Sequence, residues 1–376
     1  MTSEQAPGAR PLWIGTYPRP GADPGSGEGV FRVDVDTRTG LLSGERRAIA
    51  LPSPSFVAAH PSGRTLYAVG ETDPGSLAVL GVVGTDSLVA RRTVSSGGAD
   101  PCHVAATADR VWVANYADGT VSTWPTDDDG LLAAAPESFG HHGSGPVLDR
   151  QQGPHAHFAH PVRGDSGTAL VTDLGTDELR SHRAAPAGGG GSELAATLPP
   201  GTGPRHLVEL PDGALLVAGE LDCRLHLLAP EVGPHGLPRY RHAGSFPVTD
   251  ATWGADDGPG FPSHLTLSPD GRYVHVGVRG PDVLAVLRVE HGFAGWTVRH
   301  VGDVPLGAGA WPRHHAVVTP AAPGGQDDSS PAHDLIVVAA QNTSELISVT
   351  VDLASGEGEV VARRPFPVPP ACVLVS

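Results

Sequence analysis

The chain contains no lysine. All 25 basic residues are arginine, set against 41 acids for a formal charge of −16. So acidic a balance argues against nucleic acid or an anionic membrane as partner, and any anionic ligand must find a local positive site. Without lysine there is no phosphate-cradling GxxxxGK[ST] loop, and no GxSxG elbow is present, which disfavours nucleotide-hydrolase and serine-hydrolase chemistry. Cysteine is also scarce. Cys102, Cys223 and Cys372 are scattered and never in CxxC spacing, so they read as buried thiols and not as a disulfide framework. No run of about twenty apolar residues occurs, and the opening MTSEQAPGARP lacks the basic and apolar parts of a signal peptide, so the expected compartment is the cytoplasm.

What is plentiful is glycine and proline, 50 and 37 residues, punctuating short Val/Leu/Ala-rich runs in the manner of an all-β protein. One motif recurs seven times: PSFVAAHPSG from Pro54, PCHVAATAD from Pro101, PHAHFAHP from Pro154, PRHLVELPDG from Pro204, PSHLTLSPDG from Pro262, PRHHAVVTP from Pro312 and PACVLVS from Pro370. A repeat of about fifty residues that opens on a strand, turns at Pro-Ser-Gly or Pro-Asp-Gly and continues into further strands is a propeller blade. Second strands are expected at 65–70, 110–115, 169–174, 214–219, 273–278 and 334–340, and third strands at 76–83, 120–125 and 283–289. The seventh copy stops at Ser376, whereas PLWIGTY (11–17) and GVFRVDVD (29–36) have second- and third-strand patterns with no first strand before them. The N-terminal strands therefore complete the blade begun by the C-terminal one. The expectation is a seven-bladed β-propeller: a flexible tail over 1–10, then one domain over 11–376, with 183–193 and 320–333 as surface loops. A linear β-solenoid or a pair of sandwiches is the alternative.

In such a ring the start of each first strand and the end of each second strand meet at one mouth. The starts supply His103, His155, His157, Arg205, His206, His264, Arg313, His314 and His315; the ends supply Tyr17, Glu71, Asn115, Tyr116, Asp173, Asp177, Glu220, Arg279, Gln341 and Asn342. Charge collects on the third to sixth copies. Arg205, Arg279 and Arg313 near one axis suggest an anion pocket, because a guanidinium grips carboxylate or phosphate with a planar fork and keeps its proton. A plainer reading runs beside this one. His103, His206, His264 and His314 could simply bond a neighbouring blade, and Arg205, Glu220 and Arg279 could be buried inter-blade ion pairs. His155 and His157, two apart, should share one face of a strand. No HExxH, EF-hand loop or CxxC pair marks a metal site, so neither metal nor cofactor is expected.

The motifs resemble the seven-bladed propeller lactonases, the family of the bacterial propeller-type 6-phosphogluconolactonases and the fungal carboxymuconate lactonizing enzymes. The likeness covers nearly all of 12–376 and is carried by IGTY (14–17), ANYADGTVS (114–122), GSGPVLDRQQGPHAHFAHP (143–161), TDLGTDEL (172–179), GTGPRHL (201–207), GEL (219–221), SPDGRYVHVGVRG (268–280) and WPRHHAV (311–317). VGE at 69–71 departs from the Asn-Glu common in the family, and the 320–333 loop looks enlarged. The resemblance implies a lactone hydrolase with catalytic His157, Arg205, Glu220 and Arg279 and a small anionic lactone as substrate; from the residues gathered at the mouth, His155, Asp173, Arg313, His315, Gln341 and Asn115 are expected as further substrate contacts. On that reading Glu220 positions or deprotonates water, the arginines hold the oxyanion or the substrate's anionic group, and His157 protonates the leaving oxygen, with His and Glu exchangeable. A muconate-type cycloisomerase, a non-catalytic binding propeller and a metal-dependent lactonase remain as alternatives. A closed ring has few free edges, so a monomer is expected.

Overall fold

The computed structural model describes residues 9–185, 190–233, 236–252, 254, 260–293, 295–318 and 333–376. Most of the expected tail (1–8), and the 320–333 loop apart from His333, lie outside these residues. Seven four-stranded antiparallel sheets follow one another along the chain. Six are contiguous in sequence, and the seventh joins the C-terminal strand Pro370–Val375 to the N-terminal strands Ala9–Thr16, Gly29–Asp36 and Leu42–Ala50. Trp13 pairs with Leu374 and Ile14 with Val373, so the first strand of the chain stitches the ring shut. It begins at Ala9, two residues before the expected start.

The inner strands are apolar on both faces because each blade is sandwiched between two others. Leu12 and Ile14 pack toward the sixth blade with Val337 and Leu346, while Trp13 between them packs toward the first with Val57 and Leu66. The period-2 alternation of a strand thus feeds two separate cores. Seven such cores fill the seven seams between blades, including the one that closes the ring. The hairpins turn where Gly63, Gly213 and Gly271 take positive φ (70°, 86° and 70°), a conformation that favours glycine at the end of Pro-Ser-Gly and Pro-Asp-Gly.

The ladder registers correct one alignment. Pro101, Pro204 and Pro312 pair with Asn115, Gly219 and Ala340, and in the third blade the residue paired with the equivalent Asp173 is Ala156, not Pro154. The repeat's anchor in that blade therefore lies two residues later than the proline suggests. His155 precedes the strand Ala156–Val162, so it does not share a strand face with His157. With this shift, a bulge follows the anchor position in six blades, opposite the first-strand residues Cys102, His157, Arg205, Arg313 and their equivalents. Such bulges re-aim side chains out of the regular ladder.

Candidate active site

Glu220 lies at the centre of the mouth. It follows the second strand Leu215–Gly219 of the fourth blade and is almost fully buried. Three guanidiniums surround it. Arg205 Nε lies 3.0 Å and Arg279 Nη2 2.7 Å from Oε2, and Arg150 Nη2 lies 2.6 Å from Oε1. Arg205 is further tied to the Ser263 carbonyl, and Arg279 donates to Phe261 O at 3.2 Å and lies 5.5 Å from the Trp311 ring centroid. Arg150 also lies near the Tyr116 hydroxyl. A fourth arginine, Arg313, stands over the Tyr17 ring at 4.7 Å with Glu71 3.6 Å away, and the Tyr17 hydroxyl donates to Glu71 at 2.6 Å. Four guanidiniums therefore face two carboxylates, leaving a surplus of positive charge in a protein that is otherwise strongly acidic.

Burial alone would raise the Glu220 pKa, but Arg279 and Arg205 beside it hold the carboxyl well below the usual range, so it is ionised at neutral pH. Burial, with Arg279 adding to it, brings Arg205 down to about 9. His157, on the bulge next to them, is 6% exposed, and among the described residues its Nδ1 has no hydrogen-bond partner. Burial first and the Arg205 charge second push its pKa well below the ordinary histidine value, so the ring is neutral at pH 7.

Beneath the charged layer the axis is plugged. Phe56, His103, Phe158, His206, His264 and His314 meet ring to ring, from 3.8 Å between the stacked His264 and His314 to 6.2 Å between Phe56 and His206 across the ring. These are the residues two past the anchor position in the first six blades. The plainer reading of the histidines holds for their ring nitrogens. Ala159 N donates to His103 Nδ1, Val373 N donates to His314 Nδ1, and His206 and His264 share a 2.8 Å Nδ1 to Nδ1 bond. Among the described residues, no group of three or more His, Cys, Asp or Glu is arranged to hold a metal.

Residues 11–375 match the family described as lactonase, 7-bladed beta-propeller. The chain belongs to this family. The 6-phosphogluconolactonase of Bacillus subtilis is 30% identical over 284 residues, covering 74% of this chain and 77% of that one. The 6-phosphogluconolactonase of Formosa agariphila is 22% identical over 357 residues, covering 92% and 94%. The solved structure of the Pseudomonas aeruginosa periplasmic gluconolactonase superposes with a TM-score of 0.79 at 26% identity, covering 98% of this chain and 99% of that one.

In this propeller lactonase the four residues expected to be catalytic, His157, Arg205, Glu220 and Arg279, come together, and Arg313 stands at the same mouth. Gln341 joins them at the edge: its backbone N–H donates to Trp311 O, and its Oε1 is buried with no partner among the described residues. His155 forms a wall behind the site, stacked on Tyr116 at 4.5 Å with its Nδ1 2.7 Å from Tyr116 O. Three expected substrate contacts are committed elsewhere. Asn115 turns back into its own hairpin, donating to Thr120 O and Oγ1 and to Ser96 O. Asp173 organises the following turn, accepting at Oδ1 from His155 N, Gly175 N and Thr176 N, and burial raises its pKa to about 6. His315 points into the seam with the fifth blade, its Nε2 2.9 Å from Thr266 Oγ1. The sequence reading missed Arg150 and Trp311. Arg150 stands in the GSGPVLDRQQGPHAH run that carried the resemblance, but outside the blade repeat from which candidates were drawn.

Proposed function

We propose that the protein hydrolyses a lactone bearing an anionic group, with 6-phospho-D-glucono-1,5-lactone as the leading substrate. The observation that supports this most is the carboxylate Glu220 held by three arginines beside a neutral, buried histidine at one mouth of the ring. In the reaction, water adds to the ring carbonyl, the ring C–O bond breaks, and the products are a carboxylate, a hydroxyl and one released proton. A neutral imidazole has a lone pair on one ring nitrogen, so His157 takes the proton of the attacking water and, as the imidazolium so formed, returns it to the leaving alkoxide. Glu220, whose oxygens are engaged by three guanidiniums, instead fixes those guanidiniums and the water. Arg205 and Arg279 stabilise the tetrahedral oxyanion, preorganised on strands of adjacent blades. The anionic group of the substrate answers the surplus positive charge. A monomer acting in the cytoplasm without a cofactor completes the proposal.

The test is hydrolysis of freshly generated 6-phosphogluconolactone by Arg205→Ala and Glu220→Gln. Loss of turnover in both folded variants is the expected result, and wild-type turnover by both ends the assignment.

A further inference from the structure

Arg150 is unlike the other arginines around Glu220 in four respects. Its side chain is 33% exposed, against 3% for Arg205 and 8% for Arg279. It comes from a connecting segment between blades, whereas the others stand on first and second strands. Arg205 and Arg279 are each also tied to a backbone carbonyl, while among the described residues the Arg150 side chain hydrogen-bonds the Glu220 carboxylate. Finally, Arg150 alone uses Glu220 Oε1, and the other two share Oε2. Its backbone is held independently of its side chain, because the adjacent, fully buried Gln151 donates to Leu174 O and Asp177 Oδ1 and accepts from Val147 N.

We propose that Arg150 is the substrate-responsive arginine of this site, exchanging Glu220 for the anionic group of the substrate and so freeing Glu220 Oε1 to hold the attacking water. The inference rests on the lactonase reading above. Removing Arg150 from Oε1 leaves the carboxylate fixed through Oε2 by two anchored guanidiniums, so the freed oxygen keeps its position. The exchange conserves the charge pairing of Arg150, since one anion replaces another at its fork. A neutral lactone offers no such replacement, and Arg150 then stays on Oε1 and occupies the place of the water. Discrimination in favour of anionic lactones is thereby built into kcat as well as into KM.

The experiment compares 6-phosphogluconolactone with unphosphorylated gluconolactone, by pH-stat, for the wild type, Arg150→Ala and Arg150→Lys. Thermal melts accompany the assay to confirm folding. For Arg150→Ala the expected results are a KM for the phosphorylated lactone raised about 10- to 100-fold, from the lost charge-assisted hydrogen bonds, and a kcat for the unphosphorylated lactone above wild type; a kcat for the latter no higher than wild type overturns the inference. The phosphate preference in kcat/KM then falls about 10-fold or more, and Arg150→Lys recovers part of it. An equal fall for both lactones, or an unchanged KM for the phosphorylated one, overturns the inference while the lactonase reading stands. Absence of wild-type turnover on either lactone overturns both.

Discussion

The histidine plug makes this propeller sensitive to acid in a way that can be worked out from its geometry. His103, His206, His264 and His314 are buried against one another and against two phenylalanines under a layer of arginines, and burial lowers all four pKa values, to about 3 for His103 and His314. Above about pH 6.5 these rings are neutral in both the folded and the unfolded chain, and they add no pH dependence. Below that value the unfolded chain takes up protons that the folded one does not, so stability falls with falling pH until the folded pKa is reached. Each ring contributes roughly 1.4 kcal/mol per pH unit in that window, and four together about 5 to 6. A domain is stable by only about 5–15 kcal/mol, so unfolding is expected between about pH 5.5 and 4. The assay is urea denaturation followed by tryptophan fluorescence at half-unit steps from pH 8 to 4.5, for the wild type and His206→Phe, which copies the residue type of the first and third blades. The variant should lose about one quarter of the plug's slope. An unfolding free energy flat down to pH 4.5, or an identical slope in the variant, refutes the reasoning.

Glu220→Gln leaves three guanidiniums facing a neutral amide in a buried site, and the expected cost is about 3–5 kcal/mol, read as a lowered denaturation midpoint alongside the loss of turnover. Asp282 accepts from Gly309 N at 2.7 Å and Trp311 N at 2.9 Å, and so seats the start of the sixth blade. Asp282→Gly keeps the positive φ but loses both bonds, and should cost about 2–4 kcal/mol and raise KM through displacement of Trp311 and Arg313; a KM equal to wild type in steady-state kinetics counts against that seating. His275 and Asp334 form a fully buried 2.8 Å pair between the fifth and sixth blades. Asp334→Ala orphans the imidazole, with an expected loss of about 1–3 kcal/mol in chemical denaturation.

The ring and three strands of most blades were legible because both faces of an inner strand are buried, which writes apolar runs such as TLYAVG and SLAVLGVV whose expected and observed bounds coincide. The outermost strands were not. LSGERRAIA and SLVARRTVS are largely exposed and carry charge on both faces, so no pattern separates them from loops. The third blade was misaligned by its proline, since Pro154 lies before the strand and Ala156 takes the anchor place in the ladder. The meeting of His157, Arg205, Glu220 and Arg279 could be anticipated because a propeller brings the ends of its inner strands to one opening. The same rule overreached for Asn115, Asp173 and His315, since it places a backbone position at the mouth but does not set where a side chain turns. Short polar side chains at strand ends bond their own turns, and His315, one step deeper along its strand, faces the seam. Arg150 escaped because the rule considers only the blades, and this arginine arrives from the segment between two of them.

The central claim is tested most directly by pH-stat titration of freshly generated 6-phosphogluconolactone with the purified wild-type protein, beside unphosphorylated gluconolactone and a muconolactone, with and without chelator. The account predicts proton release well above the spontaneous rate, fastest on the phosphorylated lactone and indifferent to chelator. Release no faster than the spontaneous rate on either sugar lactone, with calorimetric binding intact, would contradict it and mark a binding propeller.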